Sequence, residues 1–487
     1  MSRLAKRDPL YLVGGAIRNA LKYGPSAKTS DFDFITRRYA LKTAKAFAKA
    51  LRARLIVLDR ERKIYRVIVH AKDKVHNFDF AAMQGSCLEE DLKNRDLTVN
   101  AMAIAVTDHA DTADIIDPTG GRQDLRKNVI RAISHKNLRS DPLRLLRVFR
   151  FAAQLDSTID SDTLRMVKDS ARLIKRPAGE RLRTELLHLL TSPQEATRLK
   201  EMDRTRLLCM IFPELERARD LARSYYPAGG VLGHVIDSVA IFERNLTLLP
   251  QRLPHIGKKL KDYFNEPLGG FPRYATLKLA VLVHDIAKPH TAKVIDGRMR
   301  FFRHEERGAR VFKKRALRLR LSTQETELIA KIIRAHLRPG NLAKSNVVTE
   351  RAFYKFFKDL GPDGIGTLCC ALSDHQSYMT SRQQWSAKEP AVTTVLSMIE
   401  KYWKQPQRVT PKKLIDGHDI MRTLKIAPGP LIGKILDEVH ALQAEGSVKT
   451  RSQALSAIKN FANNKLCVKP LSRGSPDKTV PTSRNSC

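Results

Sequence analysis

Two aspartates near the start of the chain have the spacing of a metal site. Asp31 and Asp33 lie in the run Ser30-Asp31-Phe32-Asp33-Phe34-Ile35, which alternates polar and apolar residues. Residues two apart in a β-strand point to the same face, so both carboxylates project together. Adjacent carboxylates repel each other unless a positive charge lies between them, and oxygen ligands of this kind suit Mg²⁺ shared with substrate phosphates. The pattern predicts a Mg²⁺ site with catalytic Asp31 and Asp33.

A phosphate-binding turn precedes these aspartates. In Leu12-Val13-Gly14-Gly15-Ala16-Ile17-Arg18 an apolar strand runs into a helix. Glycines there let backbone amides approach an anion at the helix N-terminus, and Arg18 adds a cation for a triphosphate. A simple tight turn is the commoner meaning of two glycines. The combination with the two aspartates predicts metal-assisted phosphoryl transfer.

Asp79 repeats the pattern of the first acidic strand. It lies between Phe78 and Phe80 in a β-branched run, Val75–Phe80, that forms a predicted hairpin with Ile64–His70. Strand parity predicts that Asp79 faces the same site as a third catalytic carboxylate. On parity alone, an acid that faces solvent is an equally good interpretation.

Composition points to a polyanionic partner. The chain has 487 residues, with 88 Lys and Arg against 51 Asp and Glu and a net charge of +37. This excess favours nucleic acid as the partner, although a basic proteome explains a charge count alone. The six cysteines form no C-x-x-C pair, and no apolar run is long enough for a membrane helix. We therefore expect a cytoplasmic protein without a membrane or a disulfide framework.

The order of the elements predicts an α/β head followed by helices. The expected divisions are a head at 1–130, a helical neck at 131–225, a third domain at 226–400, a helical tail at 401–467 and a disordered basic tail at 468–487. One long helix is predicted over Asp141–Leu155. Pro250–Pro272, richer in proline and glycine, is expected to be an inserted loop.

Several motifs in order resemble the class II CCA-adding tRNA nucleotidyltransferases and the related bacterial poly(A) polymerases. They are L-V-G-G-A-I-R at 12–18, D-F-D at 31–33, N-R-D-L-T-V-N-A-M at 94–102, D-P-T-G-G at 117–121, D-P-L-R-L-L-R at 141–147, and Glu180-Arg181 through Glu185-Leu186. The resemblance implies a head with a small mixed sheet of the five-stranded type, then a mainly helical neck, an HD domain and a tail. It implies that nucleotide is bound by Gly14, Gly15, Arg18, Arg95, Asn100, Asp141, Arg144, Arg147 and Arg150.

The fourth motif has a physical logic for base selection. Asp141 and Arg144 are three apart in the predicted helix, so we expect them to share one helix face. A carboxylate accepting from an exocyclic amine and a guanidinium donating to a ring nitrogen would bind cytosine and adenine but not guanine or uracil. An ordinary surface ion pair is the alternative. Two residues depart from the family pattern: Asn19 replaces an aspartate, and Ser140 replaces a glutamate expected to orient the arginine.

A second cluster predicts another metal site. His284-Asp285 interrupts an apolar stretch, Leu277–Ala287, where a metal would offset the cost of burying it. The order H…HD…D resembles the HD phosphohydrolase domain. That resemblance implies a transition metal or Mg²⁺ held by His234, His284, Asp285 and Asp374, with His304 and His336 supplementary.

These resemblances together imply a template-independent enzyme that adds all or part of CCA to tRNA 3′ ends from CTP and ATP. The HD domain would hydrolyse phosphomonoesters or 2′,3′-cyclic phosphodiesters. The alternatives are a poly(A) polymerase, a degenerate HD domain kept as an RNA-binding scaffold, and a non-catalytic RNA-binding module or an HD-only hydrolase.

Overall fold

The computed structural model describes residues 8–24, 29–71, 74–107, 115–226, 229–345, 347–379 and 383–465. The chain forms two compact units, one of residues 1–340 and 365–392 and the other of 341–364 and 393–487. None of the helices in the described ranges combines the length and the hydropathy that a membrane span requires. The expected disordered tail at 468–487 lies outside the described residues.

A six-stranded mixed sheet forms the head. Its order is β3-β4-β5-β2-β1-β6, with β2 and β5 parallel and all other neighbours antiparallel. The mixed sheet agrees with the prediction, and the additional edge strand β6 has only three residues, too few for an alternating pattern to reveal. The strands are β1 (Leu10–Val13), β2 (Asp31–Thr36), β3 (Arg54–Asp59), β4 (Ile64–Ala71), β5 (Lys74–Ala82) and β6 (Ala103–Ala105).

Aromatic packing decides which face of this sheet carries the carboxylates. Helix α2 (Ala40–Ala50) places Phe47 against Phe78 and Phe80, with ring centroids 5.0 and 5.4 Å away. Because side chains alternate along a strand, burying these aromatics turns the intervening acids to the other face. The other head helices are α1 (Gly15–Tyr23), α3 (Leu88–Lys93), a 3₁₀ turn (Thr98–Asn100) and α4 (Gly121–Arg126).

The neck is helical, as predicted, but its principal helix starts later. Helix α6 begins at Leu143, since Asp141 is extended (φ −131°, ψ 94°) and Pro142 occupies the N-cap position. Asp141 therefore precedes the helix and does not share a helical face with Arg144. The neck comprises α5 (His135–Ser140), α6 (Leu143–Gln154), α7 (Ser161–Ser170), α8 (Gly179–Thr191), α9 (Glu195–Arg204), α10 (Leu207–Ile211), two 3₁₀ segments (Ala171–Lys175 and Pro213–Ala218) and the parallel pair β7 (Val129–Ile130) and β8 (Thr158–Ile159).

The prediction of an inserted loop at Pro250–Pro272 is wrong. Helix α11 runs from Gly230 to Arg252 and includes Pro250 in its last turn. A 3₁₀ turn (Pro254–Ile256), helix α12 (Gly257–Asn265) and a short hairpin of β9 (Pro267–Leu268) and β10 (Phe271–Pro272) follow. The prolines and glycines mark the ends of these elements.

The remaining elements fall into two groups. Some belong to the first unit, which contains the second predicted site, and the others form the second unit. Helix α13 (Arg273–Val283) ends one residue before His284, so the His-Asp doublet lies at a helix end instead of in its interior. In the second unit Ile420, Ile435 and Ile458 are the centre of a separate apolar core. The elements are α14 (Lys288–Thr291), β11 (Ala292–Ile295), β12 (Arg298–Phe301), α15 (His304–Leu319), α16 (Thr323–Ala335), α17 (Arg338–Ala343), α18 (Glu350–Leu360), α19 (Asp363–Gln376), α20 (Pro390–Lys404), α21 (Pro406–Val409), α22 (Gly417–Leu424), α23 (Pro430–Glu445) and α24 (Arg451–Lys465).

Candidate functional site

The turn between β1 and α1 and the start of β2 line a cavity of about 550 Å³. Gly14 has φ +73°, which favours glycine, and a Cβ there would lie 3.4 Å from Nη1 of Arg95. Gly15, Asp31 and Asp33 line the same cavity. The structure thus brings the predicted phosphate-binding turn and the two carboxylates together.

Asp79 lies beside Asp33, one strand away. The two residues are paired in the parallel register of β2 and β5. Nε and Nη2 of Arg66 donate to the Asp79 carboxylate at 2.7 and 2.8 Å, so this acid already has a bidentate partner. Desolvation and the Asp79 carboxylate raise the pKa of Asp33, and Arg95 opposes them. Negative charge is therefore concentrated at Asp33 and favours a cation there.

Arg18 points into the cavity and is nearly buried. Its Nη1 donates to Oδ1 of Asn100 at 2.5 Å, and its Nε and Nη2 donate to Oδ1 of Asn19 at 3.2 and 2.9 Å. Burial and the positive charge of Arg150 lower the pKa of Arg18 to about 10. The departure at Asn19 therefore acts on Arg18, the predicted phosphate-binding arginine, because a neutral amide leaves the charge of Arg18 uncompensated.

Helix α6 contributes two more predicted cations. Nε of Arg147 donates to Oδ2 of Asp96 at 2.7 Å. Nε of Arg150 lies 2.6 Å from Oε2 of Glu185, a residue of α8. The ring of Phe151 lies under both guanidinium groups, which are 5.1 and 4.1 Å from its centroid. Acids and an aromatic ring thus hold the arginines in fixed positions along the cavity.

A second cavity of about 510 Å³ adjoins the first and shares three lining residues with it, namely Arg95, Asp96 and Arg147. Asp141 and Arg144 both line it. They do not pair with each other: Nη2 of Arg181 donates to Asp141 at 2.8 Å, while Arg144 binds backbone carbonyls. The two predicted base-selecting residues are brought together by a loop and a helix start.

Backbone carbonyl groups fix the position of Arg144. Its Nη1 donates to the carbonyl oxygens of Asn94 at 2.9 Å and Asn137 at 3.2 Å. The buried Asn137 amide in turn donates to the carbonyls of Lys93 and Arg95, both at 2.7 Å. These contacts tie α5 to the segment 93–95. They provide the orientation that a glutamate at position 140 was expected to supply.

Sequence reasoning missed several residues of these cavities. Asp96 follows Arg95, a predicted nucleotide-binding residue, and its position in the motif at 94–102 was the signal that could have identified it. Arg181 and Glu185 were noted in the fifth motif without a role in the site. Asn137 and Phe151 gave no signal, because Asn137 binds carbonyls more than forty residues earlier and the ring of Phe151 also lies 4.8 Å from the Arg18 guanidinium.

The predicted histidines and aspartates of the second site converge on one buried cluster. Nε2 of His284 lies 3.3 Å from Oδ2 of Asp285, and Nε2 of His234 lies 3.0 Å from Oδ1 of Asp374. On the other side of Asp285, Oδ1 is 3.3 Å from Nε2 of His304 and 3.6 Å from Nε2 of His336. All six predicted ligands belong to groups close enough to share metal ions, and the two oxygens of Asp285 face the two halves of the cluster.

Backbone carbonyls orient three of these imidazoles. Nδ1 of His284, His304 and His336 donates to the carbonyl three residues earlier, at 2.7, 2.7 and 2.8 Å. With Nδ1 engaged in this way, Nε2 is the ring nitrogen directed at the carboxylates. This is the arrangement that a histidine-bound metal requires.

The electrostatics of the cluster also fit a cation. Burial lowers the pKa of His284, but Asp285 and Asp374 outweigh burial and raise it to about 10. Burial and the charge of His284 lower the pKa of His336 to about 3. Lys288 forms an ion pair with Oδ2 of Asp285, whereas Oδ1 of Asp285 and Oδ1 of Asp374 are buried without a well-formed hydrogen bond within the described part of the chain. Imidazole nitrogens and carboxylate oxygens in this arrangement suit a divalent transition metal.

Four family profiles match successive parts of the chain. They are described as the poly A polymerase head domain at residues 10–131, a probable RNA- and SrmB-binding site of polymerase A at 157–219, the HD domain at 255–377, and a putative tRNA nucleotidyltransferase domain 2 at 318–458. His234 precedes the HD match, yet the structure places it in the same cluster.

Relatives and solved structures match nearly the whole chain. The CCA-adding enzyme of Thermotoga maritima complexed with tRNA has a TM-score of 0.62 at 20% identity, over 93% of this chain and 92% of that one. A CCA-adding enzyme in complex with ATP has a TM-score of 0.65 at 20% identity, over 94% and 93%. These structures show the shared fold.

Closer sequence relatives establish the family. The CC-adding tRNA nucleotidyltransferase of Synechocystis sp. is 30% identical over 453 residues, 91% of this chain and 92% of the relative. The A-adding tRNA nucleotidyltransferase of Deinococcus radiodurans is 30% identical over 460 residues, 93% of this chain and 95% of the relative. Identity of 30% over at least 91% of each chain shows that this chain belongs to the tRNA nucleotidyltransferase family.

Proposed function

We propose that the protein transfers CMP, AMP or both from CTP and ATP to the 3′ end of tRNA. One observation carries the proposal: the cavity that holds Asp31 and Asp33 opens beside the cavity that holds Asp141 and Arg144. A nucleotide spanning both would place its phosphates against the carboxylates and its base against the selecting pair.

The arginines of the first cavity would bind the triphosphate. Arg18 and Arg150 are held by neutral and acidic partners in fixed geometry, so they need little reorganisation when phosphate charge arrives. The backbone N–H groups at the start of α1 add donors at the same place. This arrangement supports binding the β- and γ-phosphates and stabilising the departing pyrophosphate.

Asp31 and Asp33 would hold Mg²⁺, and their donor set fits. Asn77 and Ser30 donate to Asp31 at 2.8 and 2.9 Å, which orients its oxygens without neutralising them. A bound Mg²⁺ supplies Lewis-acid activation of the attacking hydroxyl and neutralises phosphate charge. The oxygen of the tRNA 3′ hydroxyl would form a bond to the α-phosphorus as the bond between the α-phosphorus and pyrophosphate breaks, and the hydroxyl proton would pass to solvent. Asp79, paired with Arg66, would act on Asp33 through its charge, which raises the pKa of Asp33, instead of binding metal.

Base selection would depend on Asp141 and Arg144. The carboxylate accepts from the exocyclic amine of cytosine or adenine, and the guanidinium donates to the adjacent ring nitrogen. Arg181 and the carbonyls of Asn94 and Asn137 hold the pair in position. Uracil and guanine present a donor and an acceptor in the reverse order, so they would be rejected.

The experiment uses three tRNA substrates, ending before CCA, after the first C and after CC. Each is incubated with labelled CTP, ATP, UTP or GTP singly and with CTP and ATP together. Addition of C, of A, or of C, C and A followed by a stop supports the proposal and assigns the partial or full activity. Long A tracts would instead support the poly(A) polymerase alternative.

We also propose phosphohydrolase activity at the His-Asp cluster, on phosphomonoesters or 2′,3′-cyclic phosphodiesters. The division of ligands between the two oxygens of Asp285 supports two adjacent cations. Such cations supply an activated water and stabilise phosphate charge. Hydrolysis that persists in Asp285→Asn protein would contradict the assignment.

A further inference from the structure

The hairpin of β11 and β12 carries an unusual cationic face. Lys293 lies directly opposite Arg300 in the antiparallel register, and Arg298 lies opposite Ile295. All four side chains are exposed, and within the described residues none of the three cations forms an ion pair. Like charges at directly opposite positions of two paired strands destabilise a sheet, and an isolated two-stranded hairpin is only marginally stable. The arrangement therefore lowers the stability of the free hairpin.

The hairpin is otherwise well built. Its two-residue turn, Asp296-Gly297, has φ values of +49° and +69°, as a tight hairpin turn requires. On the opposite face Phe301 lies against Lys288, whose ammonium group is 5.5 Å from the ring centroid. The uncompensated cations thus occur on a defined surface and not in an irregular loop.

The hairpin is joined directly to the His-Asp cluster. It connects Lys288, which forms an ion pair with Asp285, to His304, the first residue of α15. The carbonyl of Phe301 accepts the hydrogen bond from Nδ1 of His304 at 2.7 Å. The end of β12 is therefore connected through the backbone to His304, at one end of the cluster.

An exposed aromatic residue completes the surface. Phe302, immediately after β12, is 63% exposed, and no stacking partner for it occurs among the described residues. The segment from Lys288 to Arg320 contains twelve lysines and arginines against three acids. Cations along a backbone path together with an aromatic platform are the combination that binds single-stranded nucleic acid.

We propose that this surface, formed by Lys293, Arg298, Arg300 and Phe302, binds a single-stranded end of RNA and leads it to the His-Asp cluster. It is a second RNA-binding surface, in addition to the one that nucleotidyl transfer requires. An acidic protein segment would satisfy the charges but would leave Phe302 without a stacking partner, so RNA fits better. The inference rests on RNA as the substrate of this protein and is independent of hydrolysis at the cluster.

Cross-linking tests the surface without any catalytic step. A ten-nucleotide RNA with 4-thiouridine near its 3′ end is irradiated with the full-length protein in EDTA, and the cross-linked peptides are identified by mass spectrometry. We expect cross-links within residues 292–303, resistant to competition by 2′,3′-cyclic AMP. Cross-links found only outside this segment would overturn the proposal, and competition by the mononucleotide would identify a nucleotide site instead.

Charge variants test the same surface in solution. Neutralising Lys293, Arg298 and Arg300 to glutamine removes three cations, so the slope of log K against log salt falls by about 2 and affinity at 0.15 M salt falls roughly 50-fold for the end-bound RNA. Exchanging lysine for arginine and arginine for lysine at these positions keeps binding, and Phe302→Ala weakens it about tenfold. The matched control neutralises three exposed lysines of α12, Lys258, Lys259 and Lys261.

Equal cross-linking yield and salt slope in the hairpin variant and the α12 control would overturn the proposal. The hairpin would then serve an acidic protein or another anion. Incorporation of nucleotides into tRNA, measured on the same preparations, reports separately on the proposed transferase activity and on correct folding.

Discussion

Asn137 offers the sharpest test of how Arg144, the proposed base-selecting arginine, is held. Its side-chain amide donates to two carbonyls at 2.7 Å, and its own carbonyl accepts from Arg144. Asn137→Ala removes both donors, each with a net contribution of about 0.5–1.5 kcal/mol, and leaves carbonyls in a buried region without partners. We expect the free energy of unfolding to fall by about 2–4 kcal/mol.

The same change should impair base selection. Segment 93–95 supplies the Asn94 carbonyl that fixes Arg144, so releasing the segment releases the guanidinium. Two well-placed hydrogen bonds to a base edge provide about 1–3 kcal/mol of discrimination. Losing half of that lowers the ratio of kcat/KM for CTP to that for UTP by about fivefold, measured on a tRNA lacking its end.

Asn245→Ala is the matched control. Asn245 is also buried, and its amide donates to Ser373 at 3.1 Å and Gln376 at 2.8 Å, away from the nucleotide cavities. We expect comparable destabilisation with an unchanged CTP to UTP ratio. If Asn137→Ala is destabilised to the same degree but keeps the wild-type ratio, the carbonyl contacts do not orient Arg144 and this reasoning is refuted.

Three further predictions concern charge. Asn19→Asp places a carboxylate against Arg18, so KM for ATP should rise several-fold with little change in kcat, and an unchanged KM would count against the role of Asn19. Burial raises the pKa of Asp96, but Arg147 outweighs burial and holds that pKa well below its usual value. The extra free energy of unfolding that wild type has over Asp96→Asn is therefore fully present above about pH 4 and decreases as the pH falls below that value. Urea unfolding at several pH values measures this difference. Chelation should lower the melting temperature and Mn²⁺ restore it mainly through the His-Asp cluster, whereas Asp285→Asn should keep only the smaller Mn²⁺ shift that the Asp31 and Asp33 site contributes.

Local periodicity predicted the carboxylate strand well. The alternation around Asp31 and Asp33 reflects the packing of Phe32 and Phe34 on the other face of the strand, and this depends only on neighbouring residues. The same reasoning failed where a helix was assumed to continue. Pro142 starts α6 after Asp141, and α13 ends before His284, because capping and packing set helix ends to within a residue.

Sequence patterns did not predict contacts between residues that are far apart in the chain. Asp141 pairs with Arg181, forty residues away, and Asn137 holds carbonyls more than forty residues earlier. The second site was predicted from a resemblance, since spacing alone does not bring His234 and Asp374 to 3.0 Å. Contacts of this kind depend on how the helices pack in three dimensions.

Nucleotide addition by Asp33→Asn protein tests the central claim most directly. Asparagine keeps the shape of the side chain but removes the charge that the carboxylate pair contributes to a metal site. With tRNA lacking its end, CTP, ATP and Mg²⁺, we predict that wild type adds C, A or both and stops, and that the variant binds the same tRNA but loses addition by at least a thousandfold, about 4 kcal/mol in transition-state stabilisation. Addition by the variant at a rate near that of wild type would contradict the account.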